Sequence, residues 1–172
     1  MSKKSFLKKF YPDEYYESIF NIDFKWLQKR NIKGLLIDLD NTIVPRKERE
    51  VSKNLIEWFS ELSKKGFKVC IISNNWKART GKIGKSLGVP VVARAVKPRR
   101  KAFERGMKIL KTNREQTAVI GDQIFTDVFG GNRMNLLTIL VVPLSKSDLF
   151  YTKILRKLER LILKGYKGSR EC

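Results

Sequence analysis

Short apolar runs alternate along this chain with segments of helical periodicity. Five apolar runs predict strands, at residues 34–39, 67–73, 89–92, 117–121 and 136–142. Three segments between them predict helices, at residues 52–65, 77–87 and 99–111, and a loop or short helix precedes the last strand. Strands that are apolar on both faces are typical of a parallel sheet covered by helices on each side. The pattern therefore predicts an α/β fold, with a Rossmann-like, doubly wound sheet of about five strands.

Two segments flank this pattern. Residues 1–30 form a basic and aromatic extension that includes FYPDEYYESIF, and we place the core at residues 31–145. Residues 146–172 contain an amphipathic helical pattern over 149–164, with an apolar stripe and basic remaining faces. No apolar run approaches the roughly 18 residues that a membrane-spanning helix needs. The N-terminus also lacks the apolar region of a signal peptide.

Net charge is the unusual feature of the composition. The 172 residues include 37 Lys and Arg against 17 Asp and Glu, a formal charge of +20. Such a field attracts anions, including nucleic acid, acidic lipid headgroups and phosphorylated substrates, without choosing among them. The chain has no histidine, which excludes His-dependent triads and His-ligated zinc. Proton transfer must therefore fall to carboxylates, Lys, Tyr or Cys, and the two distant cysteines, Cys70 and Cys172, suit a reducing cytosol.

Polar side chains follow four successive predicted strands at their carboxyl ends. In chain order they are Asp38 and Asp40, Ser73 and Asn74, Lys97, and Asp122 with Asp127. Because the carboxyl ends of parallel strands share one edge of a sheet, we expect these side chains to meet there. The set combines acidic metal ligands, a fixed cation, and hydroxyl and amide donors in one site.

Four motifs, DLDNT, ISNN, KP and GDQIFTD, occur in this order at those strand ends, and together they resemble the haloacid dehalogenase (HAD) superfamily of phosphohydrolases. The resemblance covers residues 34–142. FYPDEYYESIF and the GDQxxTDVxGGNR stretch at 121–133 resemble the YqeG-type branch of subfamily IIIA, which is similar to mitochondrial and plastid phosphatidylglycerophosphate phosphatases. This resemblance implies an HAD-like fold and a Mg²⁺-dependent phosphomonoesterase that works through an aspartyl-phosphate. It also implies phosphatidylglycerophosphate as the substrate.

The acidic residues then have distinct expected roles. Asp38 is the candidate nucleophile, because a carboxylate that is ionised at neutral pH can attack phosphorus. Asp40 is the candidate general acid and then base, and the resemblance implies that its backbone carbonyl joins the metal sphere. Asp38, Asp122 and Asp127 offer hard oxygen ligands that suit Mg²⁺. The alternative for Asp127 is a cap on the short helix that follows.

The remaining motif residues are expected to bind phosphate or hold the loops. Ser73 and Asn74 would donate hydrogen bonds to phosphoryl oxygens, and Lys97 would neutralise the phosphoryl charge. Asn41 and Thr42 are expected to fix their loop by side-chain to backbone bonds.

The stretch after the fourth motif also carries expectations. Gly130 and Gly131, with Asn132, predict a tight turn with positive φ before the last strand. Arg133 would face either substrate or solvent, and the sequence does not choose between them.

The motif spacing leaves no room for a cap domain, so the site is expected to be open. An open site admits a large partner, such as a phosphate on a lipid headgroup, a nucleic-acid end or a phosphoprotein. A basic N-terminus and a basic amphipathic C-terminal helix favour an anionic phospholipid surface. The expected location is thus cytoplasmic, peripheral at the inner face of the cell membrane.

Other functions stay open on the sequence alone. One is a cytosolic phosphatase acting on nucleic-acid ends, phosphoproteins or a small phosphometabolite. Another is a non-catalytic basic module that binds RNA, for example on the ribosome. The intact set of acidic and lysine side chains favours an enzyme over the second of these.

Overall fold

The computed structural model describes residues 6–145 and residue 162. Its strands are β1 (Glu14–Tyr16), β2 (Gly34–Ile37), β3 (Lys68–Ile72), β4 (Val91–Val92), β5 (Thr117–Gly121) and β6 (Leu137–Val141). Its α-helices are α1 (Phe24–Lys29), α2 (Lys53–Lys64), α3 (Lys77–Leu87), α4 (Arg100–Leu110) and α5 (Phe129–Asn132). Short 3₁₀ turns occur at Lys8–Phe10 and Ile19–Asn21, and a π-helical turn at Ile124–Val128 leads into α5.

Local capping chemistry explains why the helices lie where the periodicity predicts them. The Ser52 hydroxyl accepts a hydrogen bond from the Leu55 amide at the start of α2. Helix α3 ends at Gly88, which takes a left-handed conformation with φ of 67° that glycine adopts at little cost. The predicted helices at 52–65, 77–87 and 99–111 are thus confirmed to within a residue or so at each end.

All strands of the sheet are parallel, in the order β1-β6-β5-β2-β3-β4. The chain winds outward from β2 through β3 to β4, then returns to β5 on the other side of β2. The reversal between β2 and β5 opens a crevice beyond the carboxyl ends of these strands, where open α/β sheets bind their ligands.

Helices cover both faces of the sheet, and alternate residues of the inner strands β2, β3 and β5 enter different cores. Leu35 and Ile37 of β2 belong to one buried cluster, together with Trp58 of α2. Leu36, between them, belongs to a second cluster with Phe103 of α4. This burial on both sides explains why the strands read as continuous apolar runs, and it confirms the doubly wound α/β prediction.

The structure adds a sixth strand that the hydrophobic pattern did not reveal. Strand β1 pairs in parallel with β6, with Glu14 opposite Ile139. The Asp13 carboxylate accepts hydrogen bonds from the Thr138 amide (2.7 Å) and hydroxyl (3.0 Å), which secures this edge. Part of the segment we assigned to an N-terminal extension therefore belongs to the sheet.

The expected turn at Gly130 and Gly131 is wrong. Both glycines lie in helix α5, and neither has a positive φ. A Cβ on Gly130 would lie 2.4 Å from the Phe103 ring, and one on Gly131 would lie 2.6 Å from Thr138. Glycine is needed here because the helix packs closely, so the reason is steric rather than conformational. The left-handed residue before β6 is Asn135, with φ of 55°.

The predicted C-terminal helix at 149–164 lies outside the described residues, apart from Ile162. Ile162 packs against the small apolar cluster of Ile124, Val128 and Leu140. Across the described part of the chain, no helix has the length and apolar character required to span a membrane. Between Asp40 and Lys97, a stretch described without a gap, only loops, α2, β3, α3 and β4 occur, so this stretch holds no cap domain.

Candidate active site

The strand ends bring three carboxylates and one lysine together. Asp38 follows β2, Asp122 follows β5, and Asp127 lies in the π-helical turn after it. Their carboxylate oxygens lie within 4.8 Å of one another, and all three residues are buried. The predicted convergence of the first and fourth motifs is thus present in the fold.

Lys97 bridges two of these three carboxylates. Its Nζ donates to Asp38 Oδ1 at 2.5 Å and to Asp127 Oδ1 at 2.6 Å. Its side chain is only 4% exposed, so both ion pairs are shielded from water. Truncating one partner of such a pair leaves a buried charge without compensation, which is strongly destabilising.

The cluster shifts the protonation equilibria of its members. Burial raises the pKa of Asp38 to about 8, with Lys97 lowering it and the carboxylates of Asp127 and Asp122 raising it. Burial lowers the pKa of Lys97, but the carboxylates of Asp127 and Asp38 outweigh burial and raise that pKa above its ordinary value. Ionisation of Asp38 at neutral pH, which we assumed from the sequence, therefore needs more positive charge than Lys97 supplies.

The donor set fits a hard divalent cation. Three buried carboxylates and one ammonium carry a net charge of −2 when all are ionised, and a divalent cation offsets that charge. Carboxylate oxygens are the ligands that Mg²⁺ prefers in proteins. The Asp40 side chain does not belong to this group of three. The prediction that Asp40 binds the metal therefore applies only to its backbone carbonyl.

Thr42 links two of the clustered carboxylates. Its Oγ1 lies 3.2 Å from Asp38 Oδ2 and 3.0 Å from Asp122 Oδ1, so its proton can be donated to either. We expected Thr42 to bond to backbone instead. Asn41 does hold its loop as expected, because its Oδ1 accepts from the Arg46 amide at 3.3 Å. The structure makes Thr42 a positioning residue for Asp38 and Asp122.

The Asp40 carboxylate faces the second motif rather than the acidic cluster. Ser73 Oγ donates to Asp40 Oδ2 at 3.2 Å, and Asn75 Nδ2 lies 3.5 Å from both carboxylate oxygens. Arg79 of α3 donates to Asp40 Oδ1 at 2.5 Å and to the backbone oxygens of Pro45 and Glu48. Asp40 is thus held beside Asp38 by partners from a different strand and helix.

Asn74 acts on the backbone of the third motif. Its Oδ1 accepts from the Lys97 amide at 2.7 Å, and its Nδ2 donates to the Lys97 carbonyl at 3.4 Å. These two bonds place the Lys97 backbone, and with it the ammonium that reaches Asp38. The phosphate contacts assigned to Ser73, Asn74 and Lys97 stay predictions.

Asp127 does not cap the helix α5 that follows it, because that helix has no side-chain capping bond. Its Oδ2 accepts from the Gln123 amide at 3.2 Å, while its Oδ1 binds Lys97. A Cβ on Gly121 would lie 2.3 Å from the Asp127 carboxylate. The last residue of β5 must therefore be glycine for Asp127 to reach the cluster.

We expect Gly121→Ala to displace Asp127 and to lower the free energy of unfolding by about 1–3 kcal/mol. The stabilisation that Mg²⁺ adds should shrink with it, because one carboxylate leaves the cluster. Chemical denaturation with and without Mg²⁺ measures both effects. The matched control is Gly81→Ala in α3, where a new Cβ meets nothing within 4 Å. That variant should be unchanged or up to about 1 kcal/mol more stable, and equal losses in the two variants would contradict the steric argument.

Solved structures show the same fold class. The cobalt-bound deoxy-D-mannose-octulosonate 8-phosphate phosphatase (YrbI) of Haemophilus influenzae superposes with a TM-score of 0.52 at 18% identity, covering 78% of this chain and 89% of that one. A HAD family hydrolase of Streptomyces avermitilis superposes with a TM-score of 0.54 at 13% identity, over 74% and 72% of the two chains. At such identities the likeness defines the HAD-like fold.

Sequence comparison narrows the class to a family. The model for the mitochondrial PGP phosphatase family matches residues 4–144, and the chain belongs to this family. The probable phosphatase YqeG of Bacillus subtilis is 46% identical over 162 residues, which are 94% of each chain. The protein is thus a YqeG-type HAD phosphatase, which confirms the predicted class of enzyme and removes the non-catalytic alternative.

The name of a further relative includes a substrate. Phosphatidylglycerophosphate phosphatase 1 of Arabidopsis thaliana is 26% identical over 157 residues. The match covers 84% of this chain and 44% of the plant protein, so more than half of that protein has no counterpart in the match.

Sequence reasoning missed Arg79 and underestimated Thr42. A signal for Arg79 was its place in the first turn of the helix after the ISNN motif, where a side chain can reach the carboxyl edge of the sheet. Thr42 lay within the DLDNT motif, but only the approach of β5 shows that it joins Asp38 to Asp122.

Proposed function

We propose that this protein removes the terminal phosphate of phosphatidylglycerophosphate to give phosphatidylglycerol, in a Mg²⁺-dependent reaction. The observation that carries the proposal is the buried Lys97 ammonium held between Asp38 and Asp127 at the carboxyl edge of the sheet. A fixed cation beside a carboxylate nucleophile is suited to phosphoryl transfer, where charge stabilisation and positioning supply most of the catalysis.

Asp38 acts as the nucleophile and Asp40 as the general acid and base. An Asp38 oxygen attacks phosphorus, the bond to the lipid oxygen breaks, and Asp40 gives its proton to that leaving oxygen. Asp40 then takes a proton from water, the water oxygen attacks the aspartyl-phosphate, and inorganic phosphate leaves with Asp38 restored. Arg79 and Ser73 hold Asp40 in place during both halves of the reaction.

The other residues bind and orient. Lys97 and the donors of Ser73 and Asn74 hold the phosphoryl oxygens, and Thr42 keeps the Asp38 and Asp122 carboxylates at a fixed separation. Mg²⁺ would be held by Asp38, Asp122 and Asp127 with the Asp40 carbonyl, and would supply charge neutralisation for the phosphoryl group.

Three features support a lipid substrate. The stretch between the first and third motifs holds no cap, so the site can meet a phosphate carried on a large surface. The formal charge of +20 favours an anionic surface. The named activity of the Arabidopsis relative is the same reaction. We place the protein at the inner face of the cell membrane, bound peripherally.

A substrate panel tests the proposal. We expect kcat/KM for phosphatidylglycerophosphate to exceed by at least about tenfold the values for a 5′-phosphorylated oligonucleotide, a phosphopeptide and glycerol 3-phosphate, because only the lipid is presented on an anionic surface. Removing Mg²⁺ with EDTA should reduce turnover by at least about 100-fold. Asp40→Asn is the control for contaminating phosphatases. A higher kcat/KM for the oligonucleotide or the phosphopeptide would contradict the proposed lipid substrate and identify the preferred compound as the substrate class. Undiminished turnover in EDTA would contradict the proposed Mg²⁺ dependence.

A further inference from the structure

An exposed apolar surface borders the candidate active site. It consists of Trp76 and Val96, which are 67% and 52% exposed, and we call it the rim pair. Trp76 directly follows Asn75, whose amide nitrogen lies 3.5 Å from the Asp40 carboxylate. Val96 directly precedes Lys97, which binds Asp38. The rim pair therefore stands beside the reacting groups.

The fold does not account for these residue types at these positions. Trp76 is the N-cap of α3 and makes no side-chain capping bond, at a position where Ser, Thr, Asp or Asn is strongly preferred. Val96 has φ of 57°, a left-handed conformation that is a genuine outlier for a β-branched residue. Such strain persists where function requires it, and here it accompanies an apolar side chain that faces solvent.

Arg94 gives the rim pair a positive charge. Its guanidinium lies 4.3 Å from the centroid of the Trp76 ring, and its backbone amide donates to the Asn75 carbonyl at 3.0 Å. Arg99 and Arg100, also exposed, follow the Lys97-Pro98 motif. An aromatic ring, an aliphatic side chain and several cations thus border one side of the site.

This combination matches the interface of an anionic bilayer. Tryptophan rings settle at the headgroup level, and arginine pairs with lipid phosphates. A single-stranded nucleic acid also stacks on aromatic rings and attracts arginine. Val96, however, offers no flat face for a base, whereas an aliphatic side chain gains by entering the acyl boundary, so the bilayer fits the whole surface better.

We infer that Trp76, Val96 and Arg94 form the docking surface through which the active site engages an anionic phospholipid bilayer. The inference rests on the proposed function, because a phosphate carried by a lipid must reach Asp38 from the bilayer surface. The rim pair enters the interface, Arg94 binds headgroup phosphate, and the open site faces the membrane.

Tryptophan fluorescence with brominated lipid tests this directly. The full chain is mixed with vesicles of brominated phosphatidylglycerol and phosphatidylcholine, and quenching is compared among the wild type, Trp76→Phe and Trp26→Phe. Trp26 is the matched control, because it too carries an arginine over its ring, Arg30 at 4.4 Å. We expect quenching to be lost in Trp76→Phe and kept in Trp26→Phe, and the reverse or equal behaviour overturns the inference.

Activity provides a second readout. In Trp76→Ala, turnover of phosphatidylglycerophosphate in vesicles should fall about tenfold further than turnover of soluble p-nitrophenyl phosphate. In Arg94→Gln, turnover of phosphatidylglycerophosphate in vesicles should fall about fivefold further than turnover of p-nitrophenyl phosphate. This difference should disappear at high salt. Equal losses on the two substrates reject the docking role.

Trp76 quenching by single-stranded RNA, with none by vesicles, would assign the surface to nucleic acid instead. If Trp76 docks to vesicles but the lipid is not hydrolysed, the proposed substrate is wrong and the docking surface stands.

Discussion

Asp38→Asn should reduce the turnover of any phosphomonoester by at least about 10⁴-fold, because the amide cannot act as the nucleophile. The folded state should survive, since the variant keeps the shape of the side chain and puts a neutral amide where burial raises the pKa of the Asp38 carboxyl to about 8. In EDTA its unfolding temperature should equal or exceed that of the wild type. Steady-state assays and thermal denaturation measure the two effects together.

A labelling experiment distinguishes loss of the nucleophile from general damage to the site. With a ³²P-labelled substrate and an acid quench, the wild type should retain hydroxylamine-labile phosphate and Asp38→Asn should retain none. Asp13→Asn is the control, because Asp13 is also a carboxylate that accepts hydrogen bonds but serves the pairing of β1 with β6. That control should keep turnover within about twofold of the wild type. Full activity of Asp38→Asn would show that another group attacks phosphorus.

Lys97→Met should have the second largest effect, on both activity and stability. Turnover should fall by about 10³-fold, because the phosphoryl group loses its fixed cation. In EDTA near pH 8 the free energy of unfolding should fall by about 3 kcal/mol, because Asp38 and Asp127 lose their shared partner inside the protein. Added Mg²⁺ should recover much of the stability without restoring turnover.

The stability loss in Lys97→Met should depend on pH with a definite sign. The pKa of Asp38 is raised from 3.8 to about 8 in the folded protein, so its contribution to stability is present at low pH and is lost as pH rises through that range. Removing Lys97 withdraws the charge that favours the ionised form, which raises the pKa of Asp38 further in the variant. Below about pH 8 Asp38 is protonated in both folded proteins, so the destabilisation should grow only as pH rises above about 8. Denaturation at about pH 6 and about pH 9 in EDTA checks this. A loss that is equal at both, or unaffected by Mg²⁺, would contradict the charge balance assigned to the cluster.

Most of the fold could be predicted from local pattern. Strands β2, β3 and β5 are buried on both faces, so they appear in the sequence as apolar runs, and glycine or serine marks helix ends at Gly88 and Ser52. Strand β1 could not be found in this way. It has three residues with alternating burial, and it exists because Glu14 pairs with Ile139, far along the chain.

The candidate site, like the fold, could be predicted from the sequence only in part. Parallel strands end at one edge, so Asp38, Lys97 and Asp122 could be expected to meet from the order of their motifs. The partners of Asp40 could not be expected, because Arg79 reaches it only where the first turn of α3 packs against the loop that carries Pro45 and Glu48.

By itself, the sequence determined the class of fold, the edge of the sheet that carries the chemistry and the residue types available there, because each follows from periodicity and from positions next to strand ends. Only the tertiary structure decided which side chains touch. It placed Lys97 between two carboxylates, gave Thr42 a bond to Asp38 and to Asp122, and required glycine at Gly121. Those contacts depend on distances between segments far apart in the chain, which no local pattern records.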